Sequence, residues 1–343
     1  MALTGTHAIS DTGHTADHNL IDKLLAKAVQ GNITLTSIDV DVTGTTDATA
    51  TIQAAINALP ATGGTVFLPA GLLKVTSTLT MGNGTTTTVS TTSGFKLKGA
   101  GVSGSAWAGL NAAGTTLKFA NATAGTTVIS VKGPVSGWSI EDLLIDGGTS
   151  ATPTALNVIS GQWGGCTRVH VINCKQGFVS VVVGPSFSGH NTNTMHNVYE
   201  SCSVFIPDIA GAAGLVLYGN GAANNVCYDL HRGLSIAFTP PAGANTSIGI
   251  YIADCDSTTF RDLHMTNTGV QRTAVTFAYD SGNATHPADV MFDHCDFGGG
   301  ALAISGTPAG ATKNRIVGVG STNGAPTNTG IANLAYGYTA ANP

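Results

Sequence analysis

The sequence is short of charged and aromatic residues. Only 10% of its 343 residues are charged and 6% are aromatic. Glutamate occurs only at Glu141 and Glu200, so the chain has little of the composition that helices favour. The formal net charge is −5 and no basic run is present, which argues against a nucleic-acid partner.

Long apolar runs are also missing. No segment approaches the roughly 18 apolar residues of a membrane helix, so no membrane insertion is expected. The start, "MALTGTHAIS", lacks the basic and apolar regions of a secretory signal, which predicts a protein that is not exported by that route. The six cysteines form no close metal-type pairs and are interpreted as small buried apolar groups. No metal and no cofactor are expected, and no phosphate-binding loop is present.

What the chain has in quantity is glycine, 45 residues of it, together with Thr, Ala, Ser and Asn. This composition predicts many short strands joined by tight turns. From Phe95 onward, strand-like units recur about every 30 residues, with no helical pattern between them. The units align on one apolar residue in each: Leu143, Val169, Val198, Leu230 and Leu263.

This repeat excludes most β architectures. A βαβ sheet needs helices between its strands, a propeller blade needs four antiparallel strands, and a sandwich keeps no period. A β-solenoid remains, in which each period forms one coil. Because side chains alternate along a strand, three pairs are predicted to face inward: Leu143 with Ile145, Val169 with Val171, and Leu263 with Met265.

The segment "TTDATATIQAAINALPATGGTVFLPAG" predicts a helix over 47–59, capped by Asp47, followed by a strand over 65–69. A solenoid exposes its core at the first coil, and an amphipathic helix there would cover it. The predicted fold is therefore all-β, a right-handed parallel β-helix with an N-terminal helical cap. A second short helix is predicted over 15–30. Its apolar stripe is expected either to pack on its own domain or to meet two further copies.

Two segments resemble known families. "DATATIQAAINALPATGGTVFLPAGLLKVTSTL" resembles the N-terminal signature of the pectate-lyase-like superfamily, with the match extending over residues 39–80. "GTHAISDTGHTADHNLIDKLL" resembles the leader of tail proteins from phages of actinobacteria. Together these resemblances imply a subunit of a phage tail spike or tail fibre, located in the virion and usually a homotrimer.

The expected domain organisation has three parts. Residues 1–36 are expected to form an attachment and trimerisation segment that contacts other tail or baseplate proteins. Residues 37–320 are expected to form the β-helix, and residues 321–343 a C-terminal tail. Three functions are considered: a spike that binds a host cell-surface glycan, with or without cleaving it, a purely structural appendage or adhesin, and a free polysaccharide lyase or hydrolase.

Candidate site residues are those that a β-helix would project from neighbouring coils. Carboxylates at matching positions of adjacent coils lie about 4.8 Å apart, close to the spacing of a glycosidase pair. If cleavage occurs, hydrolysis is expected rather than a lyase reaction. The predicted catalytic residues are Asp254, Asp256, Asp293 and Asp296, and the predicted substrate-binding residues are Arg261, His264, His294 and Trp163. The alternative for each is structural: a turn hydrogen bond, a solvated charge, or an aromatic plug in the core.

Overall fold

The computed structural model describes most of the chain from residue 31 onward. The described residues are 31–85, 88–102, 114–121, 123, 125–148, 153–182, 193–219, 226–238, 247–253, 255–266, 273–278, 287 and 289–297, with further strands at 301–305, 312–317 and 332–336. The helix predicted over 15–30 lies outside them. Within the described residues, no helix has the length and apolar character needed to cross a membrane.

The described residues form one helix, α1 (Thr49–Asn57), and a series of short strands. The strands are β1 (Asn32–Thr34), β2 (Thr43–Asp47), β3 (Gly64–Phe67), β4 (Gly71–Val75), β5 (Leu79–Met81), β6 (Phe95–Lys98), β7 (Thr115–Phe119), β8 (Thr127–Ser136), β9 (Ser139–Asp146), β10 (Thr154–Gln162), β11 (Gly165–Ile172), β12 (Gln176–Val181), β13 (Thr194–Met195), β14 (Val198–Glu200), β15 (Ser203–Ile206), β16 (Ala213–Tyr218), β17 (Val226–Cys227), β18 (Leu230–Arg232), β19 (Ser235–Phe238), β20 (Ile248–Ala253), β21 (Cys255–Asp256), β22 (Thr259–Arg261), β23 (His264–Thr266), β24 (Thr273–Ala278), β25 (Met291–Asp293), β26 (Ala301–Ser305), β27 (Thr312–Val317) and β28 (Ala332–Tyr336).

The strands pair in parallel, each with its counterpart one coil away, and they build four ladders. The first ladder runs β1-β3-β6-β9-β11-β14-β18-β22-β25-β27-β28. The second runs β2-β4-β7-β9-β11-β15-β19-β23. The third runs β5-β8-β10-β12-β16-β20-β24-β26, and a short fourth joins the ends of β8 and β10 to β13, β17 and β21. This stacking of coils is a parallel β-helix, as the sequence predicted.

The first and second ladders meet at a corner where one residue per coil has a positive φ. At Asp142, Arg168, Ser201 and Asp262 the φ values are 56°, 51°, 53° and 54°. A single left-handed residue turns the chain without ending the hydrogen bonding on either side, and Asp is among the residues that adopt it most readily. For this reason β9 and β11 belong to both ladders.

The core lies between the ladders and is filled by alternate residues of each strand. The predicted inward pairs are confirmed, because Leu143, Ile145, Val169, Val171 and Met265 are fully buried. All six cysteines are buried and unpaired, in agreement with the apolar role expected for them. No cluster of three potential metal ligands occurs among the described residues.

The structure corrects two of the matches taken from the repeat, Val198 with Val169 and Leu230 with Leu263. Leu230 lies opposite Thr259. Val198 lies opposite Gly165 in the first ladder, whereas the sequence comparison matched it with Val169. Val169 lies beyond the corner, in the second ladder, opposite Leu143. The short strands on the two sides of this corner have the same alternating pattern, so sequence alone does not tell them apart.

Helix α1 covers the N-terminal end of the coils, and its predicted role as a cap is confirmed. Ile52, Ala55 and Ile56 are buried in the core. The helix is shorter than predicted, and the residue at its N-cap is Ala48, so the assignment of Asp47 to that position is wrong by one. The Asp47 carboxylate nevertheless accepts the backbone N–H of Thr49 at 3.0 Å, which satisfies a free donor of the first turn.

Gln53 of α1 replaces the missing neighbour of an edge strand. Strand β5 begins the third ladder and pairs with β8 on one side only. On its other side, the Gln53 amide donates from Nε2 to the Thr80 carbonyl at 2.9 Å and accepts the Thr80 N–H on Oε1 at 2.7 Å. The side chain therefore satisfies both backbone groups that a further coil would have bonded.

We expect Gln53→Ala to lower the free energy of unfolding by about 1–3 kcal/mol, because it leaves two backbone groups at this edge without their partner. Asn57→Ala is the matched control, since Asn57 is exposed and its side chain accepts a hydrogen bond from Gln53 but none from the strand. Chemical unfolding of both variants checks this, and equal losses would contradict a role for Gln53 at the edge.

Candidate functional site

The corner between the fourth and first ladders carries an aromatic side chain in three successive coils. Trp163, His196 and Tyr228 occupy it, with φ values of 52°, 55° and 57°. Each donates its backbone N–H to a carbonyl of the following coil at 3.1 or 3.2 Å. The same backbone geometry therefore recurs from coil to coil and sets three rings one above another. We call these three residues the aromatic corner.

The rings of the aromatic corner form a continuous stack. The Trp163 and His196 centroids are 4.1 Å apart with planes inclined by 16°, and the His196 and Tyr228 centroids are 5.1 Å apart with planes inclined by 11°. Trp163 is 63% exposed and Tyr228 is 53% exposed. Large aromatic side chains are usually buried to a large extent, so a stack of rings that faces solvent is an unusual feature of a protein surface.

An apolar strip lies directly beside the aromatic corner. Gly165, Val198 and Leu230 occupy one register row of the first ladder. Val198 is exposed and Leu230 is half-buried. Gly165 is buried, so Val198 and Leu230 are the two side chains that extend the apolar surface beside the rings.

Beneath the aromatic corner, a buried amide holds the coils together. The Asn197 side chain accepts the Trp138 indole N–H and the Gly164 backbone N–H, both at 3.1 Å. Its Nδ2 donates to the Gly161 carbonyl at 2.9 Å and to Asp229 Oδ1 at 3.2 Å. Because Asn197 follows His196 directly and Gly164 follows Trp163, this network fixes the backbone that carries the rings.

Asp229 completes this network from the next coil. Its Oδ1 also accepts the backbone N–H of Asn197 at 2.9 Å, while Oδ2 is buried with no hydrogen-bond partner among the described residues. Burial raises the pKa of the Asp229 carboxyl to about 8, against the effect of the Asn197 hydrogen bonds.

A second aromatic stack fills the core behind the first ladder. Tyr199, His231, Phe260 and Phe292 lie in one register row, with successive centroids 4.6, 4.7 and 4.6 Å apart. Neither ring nitrogen of His231 has a hydrogen-bond partner in the described part of the chain. Burial lowers the pKa of His231 to about 3, so this imidazole packs as a neutral ring.

A row of four charged residues runs along the outer face of the first ladder. Glu200, Arg232, Arg261 and Asp293 are register neighbours on successive coils. Arg232 Nη1 lies 3.2 Å from Glu200 Oε1, and Arg261 Nε lies 3.1 Å from Asp293 Oδ2. We call these residues the charged row. The two arginines occupy the middle positions of the row, and Glu200 and Asp293 occupy its two ends.

The structure brings five of the predicted site residues into two groups: Arg261, Asp293 and His294 at one end of this row, and His264 with Asp296 beyond the adjoining corner. Besides Arg261, Asp293 Oδ1 lies 2.8 Å from Nδ1 of His294. Asp296 Oδ2 lies 3.4 Å from Nδ1 of His264. Each of the two carboxylates thus has a basic partner. Both histidines are exposed.

Asp256 stands apart from both groups. It lies on β21 of the fourth ladder, where its register partner is Cys227, and its carboxylate accepts the Ser257 hydroxyl at 3.0 Å. The residue opposite Asp293 is Arg261, so the predicted pairing of Asp256 with Asp293 at matching positions of adjacent coils does not form. The prediction placed the two residues at matching positions of adjacent coils, whereas Asp256 lies in the fourth ladder and Asp293 lies across a corner in the first. Asp254 lies outside the described residues.

A separate pocket of about 620 Å³ lies beside α1. Gln53, Asn83 and Lys132 are among the residues that line it. None of the predicted site residues and none of the residues of the aromatic corner lines it.

Sequence reasoning selected Trp163 from the aromatic corner and missed His196 and Tyr228. A signal was present, since each of the three is followed by a small or polar residue, Gly164, Asn197 or Asp229, at an equivalent point of its coil. Recognising it requires the register of the corner, which the repeat did not provide.

The sequence matches no protein-family profile and no curated protein. Several solved structures have a similar fold. A Geobacillus virus E2 protein, ORF18, is 16% identical with a TM-score of 0.55, and the match covers 98% of this chain and 65% of that one. The Streptococcus pneumoniae surface protein and adhesin PfbA is 12% identical with a TM-score of 0.55, over 88% of this chain and 78% of that one.

A more distant likeness is to the tailspike protein gp49 of Acinetobacter baumannii bacteriophage Fri1, a capsular polysaccharide depolymerase. It is 12% identical with a TM-score of 0.45, over 89% of this chain and 57% of that one. The chain spans 65% of the length of the viral ORF18 protein. At these identities the likeness shows the fold, a parallel β-helix that the chain shares with a viral protein and a bacterial adhesin.

Proposed function

We propose that this chain is a subunit of a phage tail spike or tail fibre and that it binds a glycan on the host cell surface. The observation that carries the proposal is the aromatic corner, in which Trp163, His196 and Tyr228 stack in contact and face solvent. An exposed stack of this kind is costly in water unless a ligand covers it.

A sugar chain fits this surface physically. Pyranose rings present an apolar C–H face and a polar rim, and the apolar face packs on aromatic rings while the hydroxyl groups remain in water. Because the inner faces of the stacked rings cover one another, a sugar ring packs on the outer face of Trp163 or of Tyr228 at the two ends of the stack, and the ring edges lie between these two contacts. The network around Asn197 holds these contacts rigid before binding, which lowers the entropic cost of association.

The placement in a phage tail has two supports. Residues 5–25 resemble the leader of tail proteins from actinobacterial phages. The fold matches that of the viral ORF18 protein over 98% of this chain. A parallel β-helix is a rigid rod with long outer faces, which suits a protein that presents a binding surface outside a particle.

The proposal concerns binding rather than cleavage. A glycosidase needs two carboxylates set on either side of the bond that it breaks. Asp256 lies on a different ladder from Asp293, and both Asp293 and Asp296 are paired with basic side chains. No two of these carboxylates face each other across a common space, so we assign no hydrolytic role to these residues.

We further propose that the subunit is a homotrimer attached to the tail through its N-terminal segment. The apolar stripe predicted over 15–30 has no partner evident in the sequence around it. Strand β1 (Asn32–Thr34) already pairs with β3 in the first ladder. An attachment segment that is separable from the β-helix would therefore end before Gly31, rather than at residue 36.

The test is binding of the full chain to surface polysaccharides from a panel of bacteria. We expect saturable binding to a subset of them, no release of reducing ends, and a mass of three chains by light scattering. Absence of binding across the panel would favour the purely structural appendage. Release of reducing ends would favour the depolymerase, and the mass of one chain would contradict the trimer.

A further inference from the structure

We propose that the glycan is anionic, and that Arg232 and Arg261 bind its carboxylate or phosphate groups. This inference rests on the proposed function, because it names the chemical class of the glycan that the aromatic corner holds. It comes from a separate observation, the order of charges along the charged row.

The two arginines occupy register positions where like charges are unfavourable. Arg232 on β18 lies directly opposite Arg261 on β22, and neighbouring strands are about 4.8 Å apart. Like charges placed opposite each other in a sheet destabilise it. An anion between the two guanidinium groups would remove this repulsion, so the pair is complementary to a single negative group.

The acids at the two ends of the row orient the arginines and leave donors free. Arg261 uses Nε toward Asp293, and Arg232 uses Nη1 toward Glu200. A guanidinium group has five N–H donors, and the remaining donors of these two residues have no hydrogen-bond partner among the described residues. The side chains of Arg232 and Arg261 are 49% and 50% exposed, so these donors are accessible to a ligand.

The order of the four charges also limits which anions fit. Glu200 and Asp293 flank the arginines at the ends of the row. They repel a polyanion whose charges are closely spaced, such as nucleic acid, whereas one carboxylate or phosphate on a sugar reaches the arginines alone. This order therefore favours a polysaccharide with isolated acidic groups.

The charged row and the aromatic corner face the same ligand. Tyr228 ends the corner and Arg232 ends the next strand of the same coil, so the Cα atoms of the two residues are at most about 13 Å apart. Leu230, half-buried, lies between them on the outer face. A short stretch of polysaccharide can contact both, with its sugar ring on the aromatic corner and its acidic group on the arginines.

The experiment uses the full chain on an array of bacterial surface polysaccharides that includes neutral, uronate-containing and phosphate-containing members. We expect the bound members to be anionic, and their affinity to fall as salt concentration rises. The double variant Arg232→Gln/Arg261→Gln should bind them at least tenfold more weakly. Arg168→Gln is the matched control, because Arg168 is similarly exposed and pairs with Asp142 but lies outside the charged row.

The source of the negative group is settled by modifying the bound polysaccharide. If uronates are recognised, reduction of the carboxyl groups should abolish the arginine-dependent part of binding. If phosphates are recognised, removal of the phosphate groups should abolish it. The variant Arg232→Lys/Arg261→Lys, which retains charge but not the planar donor set, should show an intermediate loss.

Two outcomes would overturn the inference while leaving the proposed function intact: binding to neutral members alone, or binding by the double Gln variant at the wild-type affinity. Failure of the wild type to bind any member would instead overturn the proposed function, and this inference with it. Thermal unfolding tests whether each variant is folded. If the double Gln variant does not fold, the double Lys variant gives a second measurement of the contribution of the arginines.

Discussion

Trp163→Ala is expected to lower the affinity for the surface polysaccharide by tenfold or more. Trp163 is the most exposed ring of the aromatic corner and stacks on His196 at 4.1 Å. Stacking of a planar ligand on an aromatic side chain contributes about 1–3 kcal/mol when measured by alanine substitution, and every 1.4 kcal/mol is a factor of ten. Trp163→Phe should retain most of the affinity, because a flat ring remains in place.

The control for this variant is Tyr218→Ala. Tyr218 is also exposed, but it ends β16 in the third ladder and is not one of the three stacked rings. Its removal should leave the affinity within about twofold of the wild type, since surface substitutions away from a binding site have small effects. Calorimetric titration of both variants with a bound polysaccharide gives the comparison. An equal loss in the two, or no loss in Trp163→Ala, would rule out the aromatic corner as the binding surface.

The second large effect concerns stability as a function of pH. His231 and Asp229 are expected to make the free energy of unfolding fall on both sides of a maximum. The pKa of His231 is lowered from 6.5 to about 3, so the unfolded chain binds its proton more readily, and stability is lost as pH falls from 6.5 toward 3. The pKa of Asp229 is raised from 3.8 to about 8, so stability is lost as pH rises from 3.8 toward 8.

Between pH 3.8 and pH 6.5 the two contributions have opposite slopes and offset each other. Each has a limiting slope of about 1.4 kcal/mol per pH unit. Below pH 3.8 only the His231 contribution changes with pH, and above pH 6.5 only the Asp229 contribution does. The maximum contributed by this pair therefore lies in mildly acidic solution rather than at neutral pH.

Two substitutions separate the contributions. His231→Phe continues the row of Phe260 and Phe292 and removes two buried ring nitrogens without partners, so it should raise the free energy of unfolding by about 1–3 kcal/mol at pH 7. Its advantage over the wild type should grow as the pH falls. Asp229→Asn retains an acceptor for Asn197, and its advantage should grow as the pH rises from 4 to 8.

Urea unfolding at a series of pH values checks both variants, and each serves as the control for the other. The difference between His231→Phe and the wild type should change on the acid side alone, and the difference for Asp229→Asn should change from mildly acidic pH upward. Differences that do not vary with pH would mean that these groups titrate in the folded protein as they do in the unfolded chain.

The sequence by itself determined the fold class and the presence of a helix that covers the N-terminal end of the β-helix core. Alternation within single strands identified inward residues such as Val169 and Val171, and the helical stripe through Ile52 and Ile56 identified the cap. These patterns are local, because a strand shows its buried face every second residue and a helix shows its own at intervals of three and four. The recurrence of the strands without intervening helices then left the solenoid as the architecture.

Only the tertiary structure decided which side chains share a surface. Val198 proved to pair with Gly165 rather than Val169, and Asp293 faces Arg261 rather than Asp256. The physical reason is that the register between coils depends on the length of each loop and on where a left-handed residue turns each corner. Those features vary from coil to coil, so residues that are about 30 positions apart become neighbours only when the coils stack. Trp163, His196 and Tyr228 meet in this way, as do Arg232 and Arg261.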